Sequence, residues 1–137
     1  MTALAADRLT KARRPGTWHY GQKGATTIFA GALACLDANG LAVPGATATT
    51  LIPVGRCVRR SVNAGADSSI RVEVEPGVFQ FANSAAGDLV AITEIGKDVY
   101  IVDDQTVAKT SGTNTRSIAG KCMDVDANGV WVRVGIR

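Results

Sequence analysis

The tetrapeptide Asp-Ala-Asn-Gly occurs twice in this chain, at residues 37–40 and 126–129. Each copy stands between apolar, strand-like stretches: Thr26 to Leu36 and Leu41-Ala42-Val43 around the first, Ser117 to Val125 and Val130 to Ile136 around the second. Asn-Gly between apolar segments is a strong short-range hairpin signal, because both residues tolerate positive φ. The repeated word points to two similar hairpins rather than to a duplicated unit. Composition agrees with strands. Val 15 and Ile 8 outnumber Leu 7 and Met 2, Thr adds 13, and Gly 15 supplies turn positions. β-branched residues suit a pleated surface and are poorer helix formers, which argues against a helical bundle.

The 137 residues suit one domain. With 46% apolar and 20% charged residues, the chain can form a core. Ser69 to Glu75 alternates most clearly, Ile70, Val72 and Val74 against Arg71, Glu73 and Glu75, which predicts a strand with one wet face. Pro76-Gly77 is expected to turn it, with Val78 to Phe81 returning. Thr26 to Leu36 reads as one buried run, and Thr50 to Val58 as a strand in which Pro53 marks an edge or bulge. Leu89 to Ile95 is either a strand or one helical turn. Asp98 to Val102 and Thr106 to Lys109 read as strands joined by a turn at Asp103-Asp104-Gln105. The last strand sets Val130, Val132 and Val134 against Trp131 and Arg133. The expectation is an all-β single domain of eight to ten short strands, a small β-sandwich or β-barrel-like body over residues 25–137. Residues 1–24 are expected to be an extended basic N-terminal arm.

Charge is unevenly spread. Residues 1–23 hold Arg8, Lys11, Arg13, Arg14 and Lys23 against Asp7 alone, whereas residues 24–137 hold ten basic and eleven acidic residues. The chain's net charge of +3 is therefore a property of the first segment. A stretch of four or five basic residues neutralises few phosphates, and the body is aromatic-poor, so no specific nucleic-acid partner is expected. The small cluster Arg56, Arg59, Arg60 does not change that. The longest apolar run, Ile28 to Leu36, is far short of the ~20 residues of a membrane span, and the N-terminal residues lack the continuous apolar stretch of a secretory signal.

No catalytic constellation emerges, and no cofactor or metal is expected. Asp124 to Gly129 matches the first half of a calcium-binding EF-hand loop, but Gly135 stands where the bidentate carboxylate is required and both flanks are β-like. His19 is the only histidine and sits between Trp18 and Tyr20. A general base would need a nucleophile and an orienting partner. Gly96-Lys97 lacks the rest of a phosphate loop. The adjacent Asp103 and Asp104 should point to opposite faces. Cys35, Cys57 and Cys122 are odd in number and widely spaced, so free buried thiols are expected, with Cys57, between Arg56 and Val58-Arg59-Arg60, the nearest to a reactive setting. The residues alone give a binding or structural module.

The order of several stretches resembles a known family. Gly31 to Leu36 through Asn39-Gly40 and Ala42 to Gly45, Val54-Gly55-Arg56, Gly77 to Ser84, Ile95 to Ala108, Ala119-Gly120-Lys121 and Gly129 to Val132 are similar to segments of the minor capsid or head decoration proteins of Mu-like, transposable tailed phages. The resemblance spans most of residues 27–134. It implies a structural protein, not an enzyme, on the outer surface of the virion capsid, made in the host cytoplasm. Its partners would be the major capsid protein and itself, as a homotrimer at three-fold and quasi-three-fold positions. Given that role, Arg8, Lys11, Arg13 and Arg14 are the expected contacts to an acidic capsid surface, and Trp18, His19 and Tyr20 an apolar anchor. The rival expectation is a tail or surface adhesion module binding host glycans, which requires exposed aromatic platforms from only seven aromatic residues.

Overall fold

The computed structural model describes residues 2–3, 5–9 and 16–135. The fold is all-β. Its strands are β1 (Trp18–Gly21), β2 (Thr26–Ile28), β3 (Leu33–Leu36), β4 (Ala42–Pro44), β5 (Ile52–Cys57), β6 (Ser61–Asn63), β7 (Arg71–Glu75), β8 (Gly77–Asn83), β9 (Asp98–Ile101), β10 (Thr106–Ala108), β11 (Ile118–Asp126) and β12 (Gly129–Val134). Single 3-10 turns occupy Ala86–Asp88 and Ile92–Glu94.

Two barrel-like halves share a wall. The first is a five-stranded sheet in the order β1-β7-β5-β3-β4. A parallel bridge between Gln22 and Ala42 ties its two edges together, with the Lys23 amide donating to the Ala42 carbonyl at 3.1 Å. The second is a closed barrel in the order β10-β8-β12-β11-β9, antiparallel except where β10 runs parallel to β8. The small β2–β6 pair lies beside the first half.

Strands β3 and β4 explain why Thr26 to Leu36 carries no alternation. Ala34 and Ala42 are buried in one core with Ile28, Val54, Cys57, Val72 and Val74. Leu33, Cys35 and Val43 are buried in the other, with Val99, Ile101, Val107, Val130, Val132 and Val134. A strand buried on both faces reads as a continuous apolar run. That run is nevertheless two strands, not the one expected. Residues 29–32 turn between β2 and β3, and Phe29 is 55% exposed.

The expected hairpin at Pro76-Gly77 does not form. β7 pairs with β1 and β5, whereas β8 pairs with β12 and β10. Pro76 alone separates the two strands, so the chain leaves one half and enters the other in a single residue. The crossing is close-packed. A Cβ added to Gly55 would meet the Glu75 carbonyl, and one added to Gly135 would meet Pro76 and the Val54 carbonyl. Only glycines allow the three segments to approach this closely. Ile70 also departs from the expected pattern: Val72 and Val74 are buried, but Ile70, one residue before β7, is partly exposed. Pro53 does mark a bulge, since the β3–β5 register slips between Cys35 opposite Pro53 and Ala34 opposite Gly55.

Buried polar groups join the parts. Gln22 is fully buried, and its Nε2 donates to the carbonyls of Thr26 (2.9 Å) and Ser61 (3.1 Å). Asn63 Nδ2 donates to the Gln22 carbonyl at 2.9 Å. Ser117 Oγ donates to the Ala48 carbonyl (2.6 Å) and accepts from the Leu51 amide (3.0 Å), which stitches the loop before β5 to the start of β11. Such pairing removes the penalty of burying these groups. Substituting Gly55 or Gly135 with alanine should destabilise the fold by about 1–3 kcal/mol each, read as lowered thermal midpoints, whereas Gly87→Ala, with open space at its Cβ position, should change little.

Candidate functional site

The N-terminal contact residues expected from the sequence divide into two groups. Trp18, His19 and Tyr20 belong to β1, in register with Val74, Glu73 and Val72. The body therefore begins at Trp18, and the boundary expected at residue 24 moves forward, because strand pairing with β7 captures this segment. Alternation then separates the three aromatics. Trp18 and Tyr20 pack against the first core, while His19 stands half-exposed beside Glu73, Nε2 to Oε2 at 3.3 Å. They do not form one apolar anchor. Ahead of β1, every described residue from 2 to 9 is exposed and outside any strand, Arg8 included, and Leu9 is 95% exposed. Lys11, Arg13 and Arg14 lie outside the described residues.

The corrected boundary sharpens the charge division. Residues 1–17 hold four basic residues against Asp7, and residues 18–137 hold eleven of each sign. The whole excess of +3 now falls in the first segment and the body is neutral. The Arg56, Arg59, Arg60 cluster is largely answered by β7. Arg56 Nη2 lies 2.8 Å from Glu75 Oε2, and its guanidinium stacks 4.4 Å from the Phe79 ring centroid. Arg59 lies 3.5 Å from Glu73 Oε1. These pairs are exposed and add little stability, but they leave no broad basic stripe around Arg56.

Cys35, Cys57 and Cys122 are free and buried. Burial pushes the Cys35 thiol up to about 12. Burial also raises Cys57 and Cys122, with backbone hydrogen bonding acting in the opposite sense. Thiolate, not thiol, is the nucleophile, so none is set up for covalent chemistry, including Cys57. All three should resist an aromatic disulfide reagent at pH 8 in the native protein and react together on unfolding; rapid labelling of Cys57 in the folded state would contradict this assignment.

The two Asp-Ala-Asn-Gly words form hairpins, β3–β4 and β11–β12. In both, the Asp carboxylate closes the turn. Asp37 Oδ1 accepts from the amides of Asn39 (2.9 Å) and Leu41 (3.0 Å), and Asp126 Oδ1 from those of Asn128 (2.8 Å) and Gly129 (3.1 Å). The second copy goes further. Asp126 Oδ2 accepts from Trp131 Nε1 at 2.9 Å, and Oδ1 from Gln80 Nε2 at 3.2 Å. Asp126 thus spends its carboxylate on the turn and on its neighbours, and Asp124 Oδ1 accepts from the Val125 amide at 2.8 Å. The half-match to a calcium loop is a hairpin between two strands.

Sequence reading missed this Asp126–Trp131–Gln80 group. The register of β12 against β8, Trp131 opposite Gln80, assembles it across 46 residues. The Trp131 hydrogen bond, followed by those from the turn amides and Gln80, holds the Asp126 carboxyl below the usual carboxylate range. A depressed folded-state value means that this contribution is present above the unfolded value and is lost as pH falls through the folded one. The Trp131 indole N–H resonance should therefore hold steady from pH 7 to the ordinary aspartate value of about 3.9 and move only below it. A midpoint at or above that value, or no change in Asp126→Asn, would contradict the arrangement.

An exposed aliphatic row was also missed. Leu89, Ile92 and Ile95 recur every third residue through the second 3-10 turn and all face solvent, Ile92 at 69% exposure. Val90 and Glu94 point inward between them. Glu94 sits within 3.9 Å of Lys97 and 3.8 Å of Lys109. The Gly96 amide donates to the Cys122 carbonyl at 2.7 Å, which sets the row beside β11, where Met123 is exposed in a bulge. This row is the body's candidate contact surface.

These features define a class: an all-β domain of two barrel-like halves, neutral in its body, with a basic leading segment whose described residues are exposed. Neither a family model, nor a curated protein, nor a solved structure matches the chain.

Proposed function

We propose that this protein decorates a phage capsid, binding the outer surface of the major capsid protein lattice as homotrimers at three-fold and quasi-three-fold positions and stabilising the head. The observation that carries this reading is the leading segment. Its described residues are all exposed, and residues 1–17 hold the chain's entire charge excess on an otherwise neutral body. Such a charge excess suits an acidic partner surface. The order of the sequence stretches similar to head decoration proteins supports the same role. In this reading Arg8, Lys11, Arg13 and Arg14 meet the capsid, and the Leu89, Ile92, Ile95 row is a contact surface of the body. Trp18 and Tyr20 act indirectly, by fixing where the segment leaves the sheet.

The corrected boundary sets the test. Deleting residues 2–16 spares β1, whereas deletion through residue 24 removes a paired strand. Full-length protein mixed with expanded, undecorated heads should co-sediment at a copy number on the scale of the shell. The 2–16 deletion should remain in the supernatant with its thermal midpoint unchanged. Equal occupancy by both forms would overturn the role of the segment. Binding confined to a few copies per particle would overturn decoration in favour of a tail part.

A further inference from the structure

A shallow cleft of about 500 Å³ opens where β8 and β12 face solvent beside the end of β5, with Arg56, Phe79, Gln80 and Trp131 in its lining. Hydrogen bonds orient its walls. Trp131 is pinned at its ring nitrogen by Asp126 Oδ2 at 2.9 Å. Gln80, its cross-strand partner, donates from Nε2 to Asp126 Oδ1 at 3.2 Å, which orients the amide and leaves its carbonyl oxygen as an acceptor. On the other side, Arg56 lies over the Phe79 ring and is held by Glu75. An oriented aromatic ring is thus bordered in the cleft by an amide with a free oxygen, a size and mixture suited to a small polar ligand.

We propose that this cleft binds a pyranose ring of a surface oligosaccharide, with the apolar face of the sugar against the Trp131 indole and a hydroxyl on the Gln80 carbonyl oxygen. A sugar offers both a C–H face and a rim of hydroxyl donors, which is what the ring and the free amide oxygen require. A peptide strand does not fit. β8 is paired on both sides, with β10 and β12, and β12 likewise, with β8 and β11, so the cleft offers no free backbone edge for strand addition. A nucleic acid fits no better. Arg56 is engaged by Glu75, and the Asp126 carboxylate would repel phosphate. The assignment does not rest on capsid decoration; it gives the domain a second surface with its own ligand.

The test uses the full-length protein and four probes, the methyl glycosides of glucose, galactose, mannose and N-acetylglucosamine, by saturation-transfer difference NMR. At least one should receive saturation from aromatic protons. Trp131→Ala should abolish the transfer. Gln80→Ala, at an exposed position, should weaken binding about tenfold, the scale of one lost contact to a charged or polar group, with the amide spectrum of β11 and β12 unchanged away from the Asp126 turn. Absence of transfer to all four probes, or transfer undiminished in both variants, would overturn the proposal.

Discussion

The two halves depend on how closely the chain can cross between them. β7 ends at Glu75 in the first sheet and β8 begins at Gly77 in the second barrel. One residue cannot form a hairpin loop, so the strand direction continues and the partners change. Pro76 has no N–H to leave unpaired at that junction. Gly55 from β5 and Gly135 after β12 lie against it, where any side chain would strike a carbonyl or the proline ring. Strands that switch sheets at such corners let two β layers share one continuous chain. The aromatic cleft lies beside the same corner, with Arg56, next to Gly55, in its lining.

Local patterning was readable where one face of a strand meets water. The alternations over Arg71 to Glu75 and Val130 to Val134 each place valines inside, as their period requires. Both Asp-Ala-Asn-Gly hairpins were readable from turn chemistry alone. The two-strand division of Thr26 to Leu36 was not, because a strand buried on both faces has no period to interrupt. Nor could Pro76-Gly77 be recognised as a corner. A proline-glycine pair signals a change of direction but carries no information about which strands pair afterwards.

The same limit applied to the surface. The arm boundary was set by composition, which changes near residue 24, whereas pairing of His19 with Glu73 and of Trp18 with Val74 begins earlier. The two hairpin words look alike in sequence yet differ in what their aspartates reach. At Asp37 the extra acceptor capacity is taken by the Leu41 amide; at Asp126 it is taken by Trp131 and Gln80. The difference lies in the neighbouring strand, and only the fold supplies that neighbour. Adjacency in sequence made Trp18, His19 and Tyr20 look like one cluster; strand alternation separates them, two towards the core and one towards Glu73.

Neutrality of the body bears on how a leading segment could hold such a protein on a shell. Ordering an extended segment costs about 1–2 kcal/mol per residue in backbone entropy, and exposed charge pairs return only a fraction of that each. A single copy would therefore bind weakly. In the proposed trimer, the second and third segments would bind at high effective concentration, and the losses would be offset without new contacts. A strongly charged body would oppose that arrangement, because like-charged copies crowded on a lattice repel one another. In the proposed assembly, eleven charges of each sign on residues 18–137 would remove that repulsion and leave the attraction to act through the segment.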